Sequence, residues 1–321
     1  MVKTVADIIT IGDGMVTLDP QTKGPLRFVN SFDRKVGGAE LNFAIGCARL
    51  GLNVGWISRL GKDEFGRYIK HFMMGEGVDM SQVKYVKGYP TAVNFKEIME
   101  DGSVRIFYYR NGSATTTMTT DDLNPEYFKQ AKLLHITGVF PAIADHYVLI
   151  IERALELAEK YNLLVSFDPN IRLKLWSSKE RAKEVLKTFL PHVDIVLTGI
   201  DEAEILLGTD EPKAIVEKFY GYGAQYVAIK KGKDGAIGAY GNEYIESPPV
   251  KERKVVDTVG AGDGFDAGFI YGIMNEWSLE RTLKFANTIG AMVVSVTGDN
   301  EGLPYYEDVL AYMGELEVIE R

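Results

Sequence analysis

Cysteine is nearly absent: Cys47 stands alone among 321 residues. A single cysteine excludes an intramolecular disulfide and a cysteine-built zinc centre, and nothing in its use argues for an oxidising compartment. Basic charge is also short, with 36 Lys plus Arg against 45 acids and a formal charge of −9. No Lys/Arg-rich run relieves that deficit, so a nucleic-acid partner, whose phosphates demand a basic surface, is not expected. A local basic pocket for a small anion remains compatible with the acidic total. No apolar run reaches the ~20 residues of a membrane helix. The segment Met1–Ile11, interrupted by Asp7, lacks the charged lead, long apolar stretch and small-residue cleavage site of an export signal. The expectation is a cytoplasmic protein with no membrane partner. Hydrolytic signatures are missing too. There is no Gly-x-Ser-x-Gly, and His135 lies inside an apolar run where a core histidine is the plain reading.

What is present is a rhythm of short apolar runs. Val5–Ile11, Leu133–Val139, Leu163–Phe167, Val193–Leu197 and Tyr226–Ile229 are strand-length and carry apolar residues, Val and Ile among them, on neighbouring positions, as in strands buried on both faces. From Leu133 they return at about the length of one βαβ unit, and Val148, Ile151, Leu155 and Ala158 recur at helical spacing between two of them. The pattern predicts an α/β fold with a mostly parallel sheet between helical layers. Two stretches break it. Met15–Val36 contains Pro20 and Pro25, and Val93–Arg110 reads as a hairpin turning at Asp101-Gly102. Together they are expected to form a small β-sheet lid. The division is a core of residues 1–14, 37–90 and 114–321, and a lid of 15–36 and 91–113. Alternation places Val104, Ile106, Tyr108 and Arg110 on one face of the second hairpin strand, as a pocket wall or as an ordinary rim.

The most informative string is Asp257-Thr258-Val259-Gly260-Ala261-Gly262-Asp263-Gly264-Phe265. Glycines clustered at a helix start lose backbone entropy on folding and need a reason. Helix N-terminal amides converge on one spot with the positive end of the dipole, and glycines let an anion approach them. Asp263 would sit in the same first turn, beside a substrate hydroxyl, or would merely cap the helix.

This string resembles the C-terminal signature of the ribokinase-like (PfkB) carbohydrate kinases, and the resemblance runs along essentially the whole chain. It implies a ribokinase-like three-layer sandwich with a β-lid and an ATP-dependent sugar kinase. Asp263 would be the catalytic base and the backbone of Gly260, Ala261 and Gly262 the anion hole. Gly37-Gly38-Ala39-Glu40-Leu41-Asn42 is similar to the family's sugar-binding motif, with Gly38 and Asn42 facing the sugar. Lys230-Lys231-Gly232-Lys233-Asp234-Gly235 resembles its nucleotide-side loop, so Lys230, Gly232, Gly235, Gly260, Gly262, Asn170 and Asn287 are assigned to the ATP side. Mg2+ is expected with ATP, carried mainly by phosphate oxygens. The family's Asn-x-x-Glu element aligns with Gly199 and Glu202. Glu202 is then the metal-side candidate, acting through water, and Gly199 is a departure.

Within the family, the stretches Trp56–Gly61, Phe107–Ala114 and Phe167–Trp176 are most similar to the 2-keto-3-deoxygluconate kinases. That resemblance implies sugar contacts from Tyr108, Arg110 and Asp299, with Arg172 facing either the sugar carboxylate or the ATP phosphates. Planar, always-charged guanidinium groups suit a carboxylated substrate. Asn94 stands where a tyrosine is expected, which puts the exact sugar in question. The expected partners are therefore a sugar or sugar acid and ATP, with the lid as a surface for homo-oligomers. Alternatives are fructokinase or another PfkB-type kinase, or a non-catalytic sugar or nucleotide sensor. A dehydrogenase fits poorly, because no strand-end acid follows the glycines, and no P-loop is present.

Overall fold

The apolar runs form the middle of one large sheet. The computed structural model describes residues 6–250 and 255–317, so Val5 of the first run lies outside the described residues. In chain order the strands begin with β1 (Ile8–Ile11), β2 (Met15–Pro20), β3 (Phe32–Gly37), β4 (Val54–Gly61), β5 (Val83–Val86), β6 (Ala92–Ile98) and β7 (Val104–Tyr109). They continue with β8 (Leu133–Thr137), β9 (Leu164–Asp168), β10 (Ile195–Gly199), β11 (Tyr226–Lys230), β12 (Ala236–Tyr240) and β13 (Glu243–Ser247). Nine of them make one sheet in the order β13-β12-β11-β10-β9-β8-β1-β4-β5. Neighbours from β11 to β5 pair parallel, while β12 and β13 extend one edge antiparallel.

Helices cover both faces, which is why the central strands tolerate no polar alternation. On one face Asp145–Tyr161 buries Ile150, Ile151, Ala154, Leu155 and Ala158, and stops where Asn162 turns left-handed at φ 57°. Tyr147, Phe167, Phe189 and Phe219 fill that layer, and Phe43, Trp56, Phe269 and Phe285 fill the other. Each such side chain taken from water contributes about 1.5–3 kcal/mol. The helices on the second face include Ala39–Arg49, Ala261–Met274 and Leu279–Val293. The last stops at Val293, where the Ser295 hydroxyl donates to the Met292 carbonyl and the amides of Val256 and Asp257 take the Val294 carbonyl. A short helix, Tyr306–Tyr312, follows, with Gly314 at φ 74° turning the chain beyond it.

The two segments that broke the helical rhythm supply a separate four-stranded sheet, ordered β3-β2-β6-β7. Its hairpin turns as expected. Gly102 adopts φ 82°, and Asp101 accepts from the Ser103 amide at 2.9 Å. Gly12-Asp13-Gly14 connects the end of β1 directly to β2, so this sheet begins at the C-terminal end of a central parallel strand. Ligand crevices of parallel α/β sheets open at that end.

Candidate active site

The glycine string builds the start of the helix Ala261–Met274. Gly260 is its first flanking residue at φ 78°, and a Cβ there would overlap the Asp299 carbonyl oxygen. Only glycine fits both conditions. Among the described residues the amides of Gly260, Gly262 and Asp263 find no acceptor, and that of Ala261 reaches only the Thr258 carbonyl at 3.5 Å. Unspent N–H groups at a helix N-terminus are an anion cradle. Asp263 lies in the same turn and is buried. Asn42 donates to its Oδ2 at 2.8 Å, and Asn170, held at φ 35°, approaches its Oδ1 at 3.5 Å. Burial pushes the Asp263 carboxyl up to about 6, opposed by the Asn42 hydrogen bond, with Asp168 adding to the rise and Arg172 and Lys230 lowering it. It is thus a carboxylate poised near neutrality that lines the same cleft as Gly260 and Gly262.

A cleft of about 920 Å³ opens over this turn. Its walls bring together Gly38, Asn42, Asn170, Arg172 and Asp263 from the core and Asn94, Tyr108 and Arg110 from the small sheet. Of the alternating face on β7, Ile106, Tyr108 and Arg110 line the cleft, while Val104 is exposed beyond it. Arg110 is buried, stacks over the Tyr108 ring at 4.2 Å and lies 3.7 Å from Asp13 Oδ2. Asn94 donates to the Thr17 hydroxyl at 3.0 Å, and its own Oδ1 is buried without a partner. That leaves one acceptor available to a ligand.

On the opposite wall, Lys230 reaches Asp168 Oδ2 at 3.1 Å and Asp266 Oδ1 at 3.0 Å. These carboxylates and Glu202 hold the ammonium well above its ordinary range despite its burial. Burial pushes Asp266 well up, and the Lys230 charge helps hold Asp168 down. Glu202 closes a local cap, accepting from the amides of Gly199 at 2.8 Å and Ile171 at 3.0 Å. Both its oxygens are engaged, so a metal would meet it through a remaining lone pair or a water. Among the described residues no group of three His, Cys, Asp or Glu side chains is disposed to hold a metal.

A second cavity of about 470 Å³ adjoins the first and shares Lys230, Gly232, Thr258 and Gly262 with it. Pro249, Val255, Phe265 and Val294 make it largely apolar. Ala261, Gly235 and Asn287 also line it, and Asn287 donates to the Ser247 hydroxyl at 2.9 Å. Every candidate residue from the sequence therefore faces one of two connected cavities that meet at the free amides. The sequence reading passed over Asp13, Lys96, Asp168 and Asp266. Lys96 was accessible by alternation from Asn94 on β6. Asp266 is a buried acid in an apolar helix, a signal of its own.

A buried carboxylate and free helix-start amides on one helix turn, between a polar cleft and an apolar one, are the layout that a phosphotransferase site requires. The description "pfkB family carbohydrate kinase" matches residues 5–305, and the chain belongs to that family. It is 34% identical over 316 residues to a 2-dehydro-3-deoxygluconokinase of Bacillus subtilis (strain 168), covering 98% of each chain. It is 31% identical over 328 residues to a 5-dehydro-2-deoxygluconokinase of Clostridium tetani, covering 98% of this chain and 94% of that one. A protein from E. coli assigned as ribokinase II, solved in complex with ATP and Mg2+, superposes with a TM-score of 0.87 at 26% identity. That match covers 97% of this chain and all of the other.

Proposed function

We propose that the protein transfers the γ-phosphoryl group of ATP to a hydroxyl of an acid sugar, 2-keto-3-deoxygluconate (2-dehydro-3-deoxygluconate), giving its 6-phosphate. The observation that carries the reaction is Asp263 beside the free amides of Gly260 and Gly262. Asp263 takes the hydroxyl proton as the new O–P bond forms and the bond from the γ-phosphorus to the β,γ-bridging oxygen breaks to release ADP, and the amides of Gly260, Ala261 and Gly262 hold the charge on the phosphoryl oxygens. Late proton removal suffices, because such transfer depends chiefly on positioning and charge neutralisation. The apolar second cavity suits the adenine, with Asn287 and Gly235 among its lining, and Lys230 and Gly232 line both cavities, where the phosphates would pass. Glu202 is the residue that would hold Mg2+, through water, and the ion, carried by the ATP phosphates, would neutralise their charge.

Two features support a carboxylated acceptor: Arg110 projects from the small sheet, and Arg172 stands across the cleft. The small sheet acts as the lid. Arg110→Ala should raise KM for 2-keto-3-deoxygluconate about 10- to 100-fold, as loss of a charge-assisted pair does, and barely change KM for fructose. Equal losses on both sugars would remove the carboxylate reading. Incubation with ATP and 2-keto-3-deoxygluconate, followed by 31P NMR, should show one phosphomonoester at C6. The named relatives also favour 5-dehydro-2-deoxygluconate as acceptor, and Asn94, with its unpaired acceptor, is the residue that would admit it. Fructose or another neutral sugar is the remaining kinase reading, and Asp263 with its cradle argues against a mere sensor.

The face of the lid turned from the cleft carries Val93, Phe95, Phe107 and Tyr109, with Phe95 edge-on to Phe32 and Tyr109. Tyr109 is 62% exposed there. We read it as a contact between two copies of the chain. Light scattering should give a dimer that Tyr109→Asp dissociates; a monomeric wild type would end that reading.

A further inference from the structure

The roof of the cleft holds a lysine that neither the glycine string nor the family resemblance assigned. Lys96 lies on β6, is 3% exposed and lines the cleft on the same strand face as Asn94. Its ammonium meets Asp299 Oδ1 at 2.7 Å and Asp19 Oδ1 at 3.4 Å. A lysine this deep loses its hydration and persists only when paired. Asp19 has a second cation, because Lys35 from β3 meets its Oδ2 at 3.1 Å while also donating to the Thr297 carbonyl. The shorter contact of Lys96 is with Asp299. Its charge is therefore directed chiefly there.

Asp299 touches the reaction centre twice. Its side chain lines the cleft, and its carbonyl packs on Gly260, where the cradle begins. We propose that Lys96 is a positioning residue for the sugar: it keeps Asp299 ionised and fixed as acceptor for a substrate hydroxyl, and ties the lid to the loop packed on Gly260. The inference rests on the kinase reading above. An ionised carboxylate accepts a hydroxyl hydrogen bond roughly twice as strongly as a neutral group does. Around Asp299, burial pushes the carboxyl up, Lys96 opposes it most, and Asp19 and Asp257 add to the rise. Lys35 on β3, which pairs with Asp19 and Glu301 and donates to the Thr297 carbonyl, is a further charge beside that loop. Without Lys96 the upward influences act unopposed by its ammonium, and the Asp299 carboxyl moves further up.

The test compares wild type, Lys96→Met, Lys96→Arg and the double variant Lys96→Met/Asp299→Asn from pH 6 to 9, using whichever sugar supports ADP release by the wild type. Lys96→Met should raise the sugar KM about 10- to 100-fold and leave the ATP KM within about threefold. Its deficit in kcat/KM should be largest at pH 6 and shrink as pH rises and Asp299 ionises. Lys96→Arg should restore much of the loss, and the double variant should lose the added pH dependence. A sugar KM within about threefold of wild type, or a deficit uniform across pH, would overturn the role and leave Lys96 a packing residue. A wild type silent on every sugar would remove the kinase reading and this role with it. An active wild type with an indifferent Lys96→Met removes the role alone.

Discussion

Asp263→Asn should lower kcat by about 10²- to 10⁴-fold, the range of a positioned general base, while KM for ATP and for the sugar change little. The asparagine keeps the shape and can still accept from Asn42, so the cleft should survive. Wild-type kcat/KM should rise with pH through about 6 and level off above it, because only the ionised carboxylate takes a proton. The same group carries a cost in stability. Its folded pKa lies above the ordinary carboxylate value, so its contribution is complete below the unfolded pKa near 4 and is lost as pH rises through about 6. Asp263→Asn should therefore stabilise the fold at pH 7–8 by about 1–3 kcal/mol, an advantage that fades on acidification towards pH 4. Thermal melts across pH check it. A variant that keeps most of its turnover would take the base role from Asp263.

Gly260→Ala should be damaging for a different reason. The residue sits at φ 78°, and a Cβ would overlap the Asp299 carbonyl. The methyl group forces either the helix start or the Asp299 loop to move, at a cost of about 2–4 kcal/mol in stability. The amides proposed to cradle the phosphoryl group move with it. Loss of well-aimed oxyanion donors lowers kcat about 10²- to 10³-fold, and the ATP KM should rise too. Denaturant melts and kinetics on the same preparation separate the two effects. Gly262→Ala is the informative contrast. A Cβ there meets only the Lys230 ammonium at 3.8 Å, so the fold should hold. Equal stability losses at both positions would contradict this account of Gly260.

The parts legible in the sequence are those written locally. Runs of neighbouring apolar residues in β1, β8, β9, β10 and β11 report burial on both faces, and the helix Asp145–Tyr161 contains the apolar repeat of Val148, Ile151, Leu155 and Ala158. The hairpin declared itself through Asp101-Gly102, and the anion cradle through glycines that only a close approach explains. Long-range pairings were not legible. Lys230 meets Asp168 and Asp266 across three separate stretches of chain, and no local pattern marks a lysine at a strand end as buried among acids. Asp13 meets Arg110 only because β1 runs straight into the small sheet, and Lys96 finds Asp299 only when that sheet lies over the cleft. The resemblance to sugar kinases supplied the positions of single residues. It did not supply the ion pairs that hold them, because those depend on which loops the fold brings together.

The central claim is sugar-dependent phosphoryl transfer at Asp263, and its most direct test is a coupled ADP-release assay with ATP and Mg2+. Wild type and Asp263→Asn would be run side by side on 2-keto-3-deoxygluconate, 5-keto-2-deoxygluconate, fructose, ribose and adenosine. ADP release that requires a sugar, is fastest with 2-keto-3-deoxygluconate and is lost in Asp263→Asn is the predicted result. Folded wild-type protein that binds ATP yet releases no ADP with any of the five would contradict the claim.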